Sequence, residues 1–421
     1  MHHFHLKNGV MHAEDVDLRA IAAQVRTPFY CYSAATLTRH FKVFSAAFKD
    51  KALICYAMKA NSNQAVLTLL AALGAGMDVV SEGELRRAVA AGVPGSRITF
   101  SGVGKTAREI DYALDQDILC FNVESEPELA VLNARAKLKG KVAPISIRVN
   151  PDVDAKTHAK IATGKSENKF GIPISRARAV YGLASAMANI KVSGVDMHIG
   201  SQITDLQPFD DAFALLASFV LELRSDGHVI DHLDLGGGLG IPYKDNNEPP
   251  PHPDAYAAIV AKHTASLGCK LVFEPGRLLV GNAGILVTEV IYVKSGENKS
   301  FVIVDAAMND LIRPTLYEAY HDVKPVQPRA GALHMIADVV GPVCETGDYL
   351  AQDRDMTEVK PGDLLAVMSA GAYGAAQSGT YNSRLLVPEV LVSGADFAVV
   401  RPRGTYDALI ALDHVPEWLA K

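Results

Sequence analysis

What this chain lacks narrows it first. No apolar run reaches the roughly 18 residues that a helix needs to cross a bilayer. The opening residues, Met1-His2-His3-Phe4-His5, do not have the charged-then-apolar layout of a secretory signal. Basic residues are not in excess. The formal net charge is −6, so no positive field attracts nucleic acid or an anionic membrane. Cysteine is scarce: Cys31, Cys55, Cys120, Cys269 and Cys344 are scattered and odd in number. Such a set argues against a disulfide framework and for a reducing, cytoplasmic setting. Three of them sit inside apolar runs and read as small core residues; Cys344 does not. No metal centre is expected, and His2, His3 and His5 read as a flexible terminus. No low-complexity tail is present, and no repeat beyond the β/α period described next.

What is present is ordinary in amount and regular in order. The 421 residues are 49% hydrophobic and 21% charged, which suits a globular protein of about two to three domains. Residues 1–33 hold a short amphipathic segment near Asp17–Val25 and a strand-like Phe29-Tyr30-Cys31-Tyr32. From about residue 50 to 280, β-rich apolar runs alternate with helical spacing. The runs are Leu53–Met58, Met77–Val80, Ile98–Ser101, Ile118–Asn122, Ile145–Asn150, Val195–His198, His232–Leu235 and Lys270–Glu274. Continuous apolar strands separated by helices imply a parallel sheet buried on both faces. Eight evenly spaced repeats predict a (β/α)8 TIM-type barrel over 34–280, with a doubly wound open sheet as the competitor. After residue 280 the helical period fades. Short runs at Ile285–Val293, Phe301–Val304, His334–Val340, Leu364–Met368, Pro388–Val392 and Phe397–Arg401 predict a mostly antiparallel β domain over 281–421. The strand within 1–33 lies outside the barrel count and is assigned to that β domain. Asn246–Pro253 reads as an extended surface loop. Asp152–Gly171 is long and rich in Lys, Ser, Thr and Gly, and reads as a lid or, alternatively, a simple surface excursion.

The chain is organised around Tyr56-Ala57-Met58-Lys59-Ala60-Asn61, which ends the first barrel run. Lys is almost never fully buried unless paired. In a low-dielectric pocket its amine deprotonates readily and suits Schiff-base chemistry; a strand-end lysine that snorkels to water is the alternative. The chemistry of such a barrel sits at the C-terminal ends of its strands, and six of the eight runs have polar or glycine-rich ends. They are Lys59; Asp78 followed by Ser81-Glu82-Gly83-Glu84; Arg148-Val149-Asn150-Pro151; His198-Ile199-Gly200-Ser201-Gln202; Gly236-Gly237-Gly238-Leu239-Gly240; and Glu274-Pro275-Gly276-Arg277. Glycines let backbone N–H groups cradle a phosphate, and Arg277 adds charge-assisted hydrogen bonds. A reactive lysine, a phosphate anchor and an acid for a pyridine nitrogen together fit pyridoxal phosphate. Glu274 is the candidate acid, unless it simply pairs with Arg277. His198 is a candidate to stack on the ring, unless it is an ordinary rim histidine.

Those stretches, with Glu167-Asn168-Lys169-Phe170-Gly171, Leu311-Ile312-Arg313-Pro314-Thr315-Leu316-Tyr317, Cys344-Glu345-Thr346-Gly347-Asp348 and Gly371-Ala372-Tyr373-Gly374, make a recognisable whole. The sequence resembles the diaminopimelate decarboxylases, a family of alanine-racemase-like (fold type III) pyridoxal-phosphate enzymes, over nearly its full length. The resemblance implies that Lys59 carries the cofactor as a Schiff base, that Asp78 lies in the cofactor site, that His198 stacks on the ring and that Glu274 faces its nitrogen. It implies that Ser201, Gly236, Gly237, Gly238, Gly276, Arg277 and Tyr373 hold the phosphate or lie beside it. It further implies that Arg277, Arg313, Tyr317, Glu345 and Tyr373 contact substrate and that Cys344 donates a proton. In the family, Cys344 and Glu345 reach the site from the second subunit of a head-to-tail homodimer. The implied reaction converts meso-diaminopimelate to L-lysine and carbon dioxide, the last step of lysine biosynthesis. Without the resemblance, Arg313 and Glu345 read as ordinary surface charges.

Three rivals remain at this point. One is a decarboxylase of ornithine, arginine or carboxynorspermidine on the same scaffold. Another is an amino-acid racemase. The third is a non-catalytic relative that binds a partner enzyme.

Overall fold

The computed structural model describes residues 2–49, 51–155, 157–164, 167–244, 250–297 and 299–419. The chain divides into two compact units, one of Thr38–Pro242 with Asn247–Leu279, the other of Met1–Leu37, Tyr243–Asn246 and Val280–Lys421. Among the described residues no helix is long and apolar enough to cross a membrane.

Four short strands come first: β1 (Phe4–Lys7), β2 (Val10–Ala13), β3 (Val16–Asp17) and β4 (Phe29–Ser33). The strands that follow build the first unit: β5 (Leu53–Ala57), β6 (Gly76–Val79), β7 (Ile98–Phe100), β8 (Cys120–Val123), β9 (Ala143–Asn150), the two-residue β10 (Ile172–Pro173), β11 (Ile190–Asp196), β12 (His232–Asp234) and β13 (Lys270–Phe273). Each pairs in parallel with the next in the order β5-β6-β7-β8-β9-β11-β12-β13, and β13 pairs back to β5. Eight parallel strands thus close on themselves, which selects the barrel over the open sheet. The polar residues that end the βα loops also start the helices. Asn63, Ser81, Thr106 and Ser125 each accept a first-turn backbone N–H, and Thr106 with Glu109 forms a complete capping box. Outside the barrel wall, Phe44, Phe209, Phe213, Tyr256 and Phe273 form one aromatic cluster with ring centroids 4.9–6.4 Å apart. Truncating a buried member such as Phe273 would cost about 3–5 kcal/mol.

Two differences from the sequence expectation have local causes. The sixth barrel strand runs over Ile190–Asp196, rather than Val195–His198, so His198 lies in the loop beyond it. Ser193 and Gly194 break the apolar run, and the pairing with β9 bulges between Val192 and Gly194. Gly194 is required there because a Cβ would lie 2.5 Å from Nε2 of His232. A helix at Ala34–Ala47 precedes the first barrel strand and was not anticipated.

The second unit is built on β14 (Gly284–Ser295), β15 (Ser300–Val304), β16 (Val323–Pro325), β17 (His334–Val340), β18 (Tyr349–Thr357), β19 (Leu364–Val367), β20 (Glu389–Ser393) and β21 (Asp396–Arg401). The sheet order is β18-β17-β15-β14-β4-β20-β21, with β19 joining β14 and β16. Most pairs are antiparallel, and β15–β17 and β20–β4 are the parallel ones. The N-terminal strand β4 is therefore a member of this sheet, as expected. Below it a core of Phe29, Cys31, Ile285, Val287, Val390 and Val392 is completely buried.

Candidate active site

Lys59 sits on the 3-10 turn Met58–Ala60 directly after β5. Its Nζ donates to Oδ2 of Asp78 on β6 at 2.9 Å. The Lys59 side chain is 38% exposed while that of Asp78 is fully buried. The lysine is thus neither buried alone nor free in solvent: its cation is placed at the rim by a carboxylate beneath it.

The loop after β12 supplies the glycines. Gly236 adopts φ +63, and a Cβ at Gly237 would meet the Glu274 carbonyl oxygen at 2.3 Å. No side chain fits this cradle. The Gly237 N–H donates to Nδ1 of His198 at 3.1 Å, which leaves the imidazole proton on Nε2. Burial, with the Arg148 and Lys59 charges nearby, pushes His198 well below the usual histidine range. The ring is therefore neutral at physiological pH. Arg277 donates through Nε and Nη2 to Oγ of Ser201 at 3.3 and 3.1 Å. Gly276 packs where a Cβ would stand 3.2 Å from Ala57 and Ala60.

Glu274 does not pair with Arg277. Its Oε1 accepts from Thr99 Oγ1 (3.1 Å), Ser101 Oγ (3.3 Å) and Asn122 Nδ2 (3.2 Å). Burial, followed by the Asp78 charge, lifts its carboxyl to about 7.

Three residues here, Glu124, Asp196 and Asp234, were not singled out from sequence, whereas Arg148 was, as the end of the fifth run. Arg148, buried on β9, donates to Glu124 at 2.9 Å and to the His198 carbonyl at 3.4 Å. Glu124 also accepts the N–H groups of Gly102 (3.0 Å) and Gly171 (2.9 Å). Asp196 and Asp234 are the last residues of β11 and β12. Their strand-end positions carried the same signal that singled out Asp78. The expected lid, Asp152–Gly171, lies partly outside the described residues. Its described part is tied to the loop after β11: Thr163 Oγ1 donates to His198 O (2.9 Å), Thr157 Oγ1 to Ser201 O (2.8 Å), and Ser201 N to Ile161 O (3.2 Å). Half of the expected surface loop Asn246–Pro253, residues 246–249, lies outside the described residues, and its end, Pro253, opens the helix Pro253–Thr264.

The remaining candidates belong to the second unit. Arg313 and Tyr317 bound the short helix Arg313–Tyr317. Arg313 is buried, not a surface charge. Its Nη1 lies 2.8 Å from Nε2 of His321, and its guanidinium stacks 4.7 Å from the Tyr243 ring centroid. Cys344 and Glu345 occupy the loop between β17 and β18 and are exposed. Asp348 anchors that loop by accepting the N–H groups of Met308 and Val343, both at 2.6 Å. The Cys344 N–H donates to Asn382 Oδ1 at 3.0 Å. A hydrogen bond to Glu345 raises the hydroxyl of the neighbouring Tyr381 above its ordinary pKa. Thr315 Oγ1 donates to the Gly347 carbonyl at 2.5 Å and joins the helix to this loop. Tyr317 accepts from Gln377 at 3.5 Å, four residues beyond the half-buried Tyr373, whose φ is +57.

A closed parallel barrel whose rim carries an ion-paired lysine, a side-chain-free glycine cradle, a serine–arginine pair and a buried carboxylate defines a pyridoxal-phosphate enzyme. The absence of any room for a Cβ at Gly237 and the donor set around it fit a phosphate group. Comparison with known proteins agrees. Residues 34–281 match the pyridoxal-binding domain of the pyridoxal-dependent decarboxylases. The diaminopimelate decarboxylase of Zymomonas mobilis is 50% identical over 99% of both chains. That of Vibrio cholerae is 52% identical over 97% of this chain and 98% of its own. The solved diaminopimelate decarboxylase of M. jannaschii, in co-complex with L-lysine, superposes with a TM-score of 0.94 at 36% identity, covering 99% of this chain and 98% of that one. The chain belongs to the diaminopimelate decarboxylase family.

Proposed function

We propose that this protein decarboxylates meso-2,6-diaminopimelate to L-lysine with pyridoxal phosphate held on the barrel rim. The observation that carries the reading is Lys59 beside Asp78 on the same rim as the Gly236–Gly238 cradle, in a chain collinear with decarboxylases of that name. When bound, pyridoxal phosphate supplies the electron sink for the carbanion left by departing carbon dioxide.

Lys59 is the covalent anchor, and Asp78 holds its amine in place. Ser201, Gly236, Gly237, Gly238, Gly276 and Arg277 hold the phosphate, with Tyr373 alongside. Neutral His198 offers a flat, uncharged ring surface, which a protonated imidazole would not. Glu274 presents a negative charge to the ring nitrogen. The Thr99, Ser101 and Asn122 donors fix its orientation.

Substrate selection falls to the second unit. Diaminopimelate has two amino-acid ends, so its far end needs one cation site and one anion site. Arg313, fixed in orientation by His321 and Tyr243, supplies charge for the far carboxylate. Glu345 supplies it for the far ammonium, and Arg277, Tyr317 and Tyr373 complete the contacts. Cys344, an exposed thiol, delivers the proton that replaces carbon dioxide. In this reading Cys344 and Glu345 serve the barrel of a second copy in a cytoplasmic head-to-tail homodimer. The purified protein, loaded with cofactor, is to be assayed with meso-diaminopimelate, lysine, ornithine and arginine. Carbon dioxide from the first alone supports the reading, whereas release from ornithine or arginine instead removes it.

A further inference from the structure

Beneath the rim, Asp196, Asp234 and Glu274 place one carboxyl oxygen each within 4.8 Å of one another. All three side chains are buried. Like charges this close repel strongly where water is excluded. Three carboxylates in this space do not all stay ionised, so at least one oxygen carries a proton.

The donors around them decide which. Asp196 has the Arg148 Nε at 4.0 Å from Oδ2. Glu274 Oε1 accepts three neutral donors. Asp196 Oδ1 and Asp234 Oδ2 are both buried with no N–H or O–H among the described residues reaching them. Asp196 is faced by Arg148, but Asp234, whose Oδ1 accepts the Gly236 N–H at 3.0 Å, has no cation beside it to match. An anionic oxygen there is unsatisfied, whereas a protonated one becomes a donor. We infer that Asp234 is a positioning acid: its Oδ2 holds a proton at neutral pH and donates it to Glu274, keeping Glu274 ionised toward the ring nitrogen. The pair then carries a single negative charge to meet a single ring N–H⁺. Asp234 also fixes the first glycine of the phosphate cradle through Gly236, so one side chain sets both ends of the cofactor site.

The ionisable surroundings agree. Burial, then the Glu274 charge, raises both Asp234 and Asp196 well above the carboxylate range, and only for Asp196 does a cation, Arg148, oppose the rise. Lys59, Asp78 and Arg148 also act on Glu274, and Glu124 on Asp196. Burial raises the nearby Cys55, Cys120 and Tyr256 far enough that none carries charge at neutral pH.

This inference rests on the cofactor reading for its purpose but not for its test. Infrared difference spectra of the cofactor-free protein at pH 8.5, with Asp234→Asn, Asp196→Asn and Glu274→Gln, locate the proton directly. The expected result is a protonated-carboxyl band that disappears in Asp234→Asn and survives in Asp196→Asn. Absence of the band from the parent protein means that all three are ionised, and overturns the proposal. Its survival in Asp234→Asn does the same. Pyridoxal-phosphate affinity, followed by fluorescence, gives the second readout. Asparagine keeps an N–H donor and should stay within about three-fold of the parent, while Asp234→Ala should bind about ten-fold or more weakly. Equal damage from both overturns the positioning role. Failure of the parent to bind pyridoxal phosphate would instead strike the cofactor reading and leave the infrared result standing.

Discussion

The Nζ of Lys59 donates to Oδ2 of Asp78 across 2.9 Å, and the Asp78 side chain has no exposed surface. The pair holds the Lys59 amine at the rim on a fixed, buried carboxylate. Borohydride treatment of the loaded parent should leave the cofactor's mass covalently on Lys59. Lys59→Ala should show no such adduct and no turnover above background. Intact-mass spectrometry and a carbon dioxide assay read both, and retained turnover would remove Lys59 from the mechanism.

Arg277 and Ser201 meet at 3.1 Å, and both are assigned to the phosphate. A charge-assisted hydrogen bond is worth about 1.5–3 kcal/mol, so Arg277→Ala should weaken pyridoxal-phosphate binding roughly 10- to 100-fold. Titration of cofactor-free protein measures this. Inorganic phosphate should compete with the cofactor in the parent and much less in the variant.

Cys344→Ala should keep the cofactor's absorbance and slow product formation by about 10²–10⁴, the usual contribution of a positioned acid. An unchanged rate would exclude the thiol as proton donor. Mixing inactive Lys59→Ala with inactive Cys344→Ala tests the shared site. If each barrel uses its partner's thiol, random exchange in a two-fold dimer recovers about a quarter of the parent activity. No recovery after subunit exchange would place each Cys344 with its own barrel.

His232 makes a pH-dependent contribution independent of catalysis. It is buried, with Nε2 2.8 Å from Ser146 Oγ, and burial pushes it down to about 4. The unfolded chain protonates it near its ordinary value of about 6.5. The stability from neutral His232 is thus fully present above pH 6.5 and is lost as pH falls toward 4. That loss is on the order of 3 kcal/mol. Unfolding midpoints of parent and His232→Gln at pH 7 and 4.5 should show a smaller acid loss in the variant. Equal acid losses would contradict the assignment.

The barrel was legible because parallel strands buried on both faces write themselves as unbroken apolar runs, and because their rim ends hold the polar residues. The same logic failed where a strand breaks its own pattern. Ser193-Gly194 hid the start of β11, and the charged residues of Gln352-Asp353-Arg354-Asp355 hid β18, which is held by pairing to β17 rather than by an apolar face. Lys59, Asp78, His198 and Glu274 stood out as strand-end polar groups. Asp234 did not, because it was read as part of an apolar run beside a glycine turn. Arg313 was reached only through the family resemblance, and its burial was not legible: that depends on His321 and Tyr243, which are far from it in pattern, and the short helix that carries it has no amphipathic signature.

The central place of β4 has a consequence for how the chain is made. Its hydrogen-bonding edges are filled by β14 and β20, which begin at Gly284 and Glu389. A ribosome adding about 5–20 residues per second needs roughly ten seconds to a minute to pass from Ser33 to Gly284. Throughout that interval the apolar Phe29-Tyr30-Cys31-Tyr32 has neither of its neighbours, while the eight barrel strands are synthesised in turn. The sheet is therefore completed around a strand synthesised long before its neighbours. Nascent-chain capture should find that segment bound to chaperones until the C-terminal strands leave the exit tunnel.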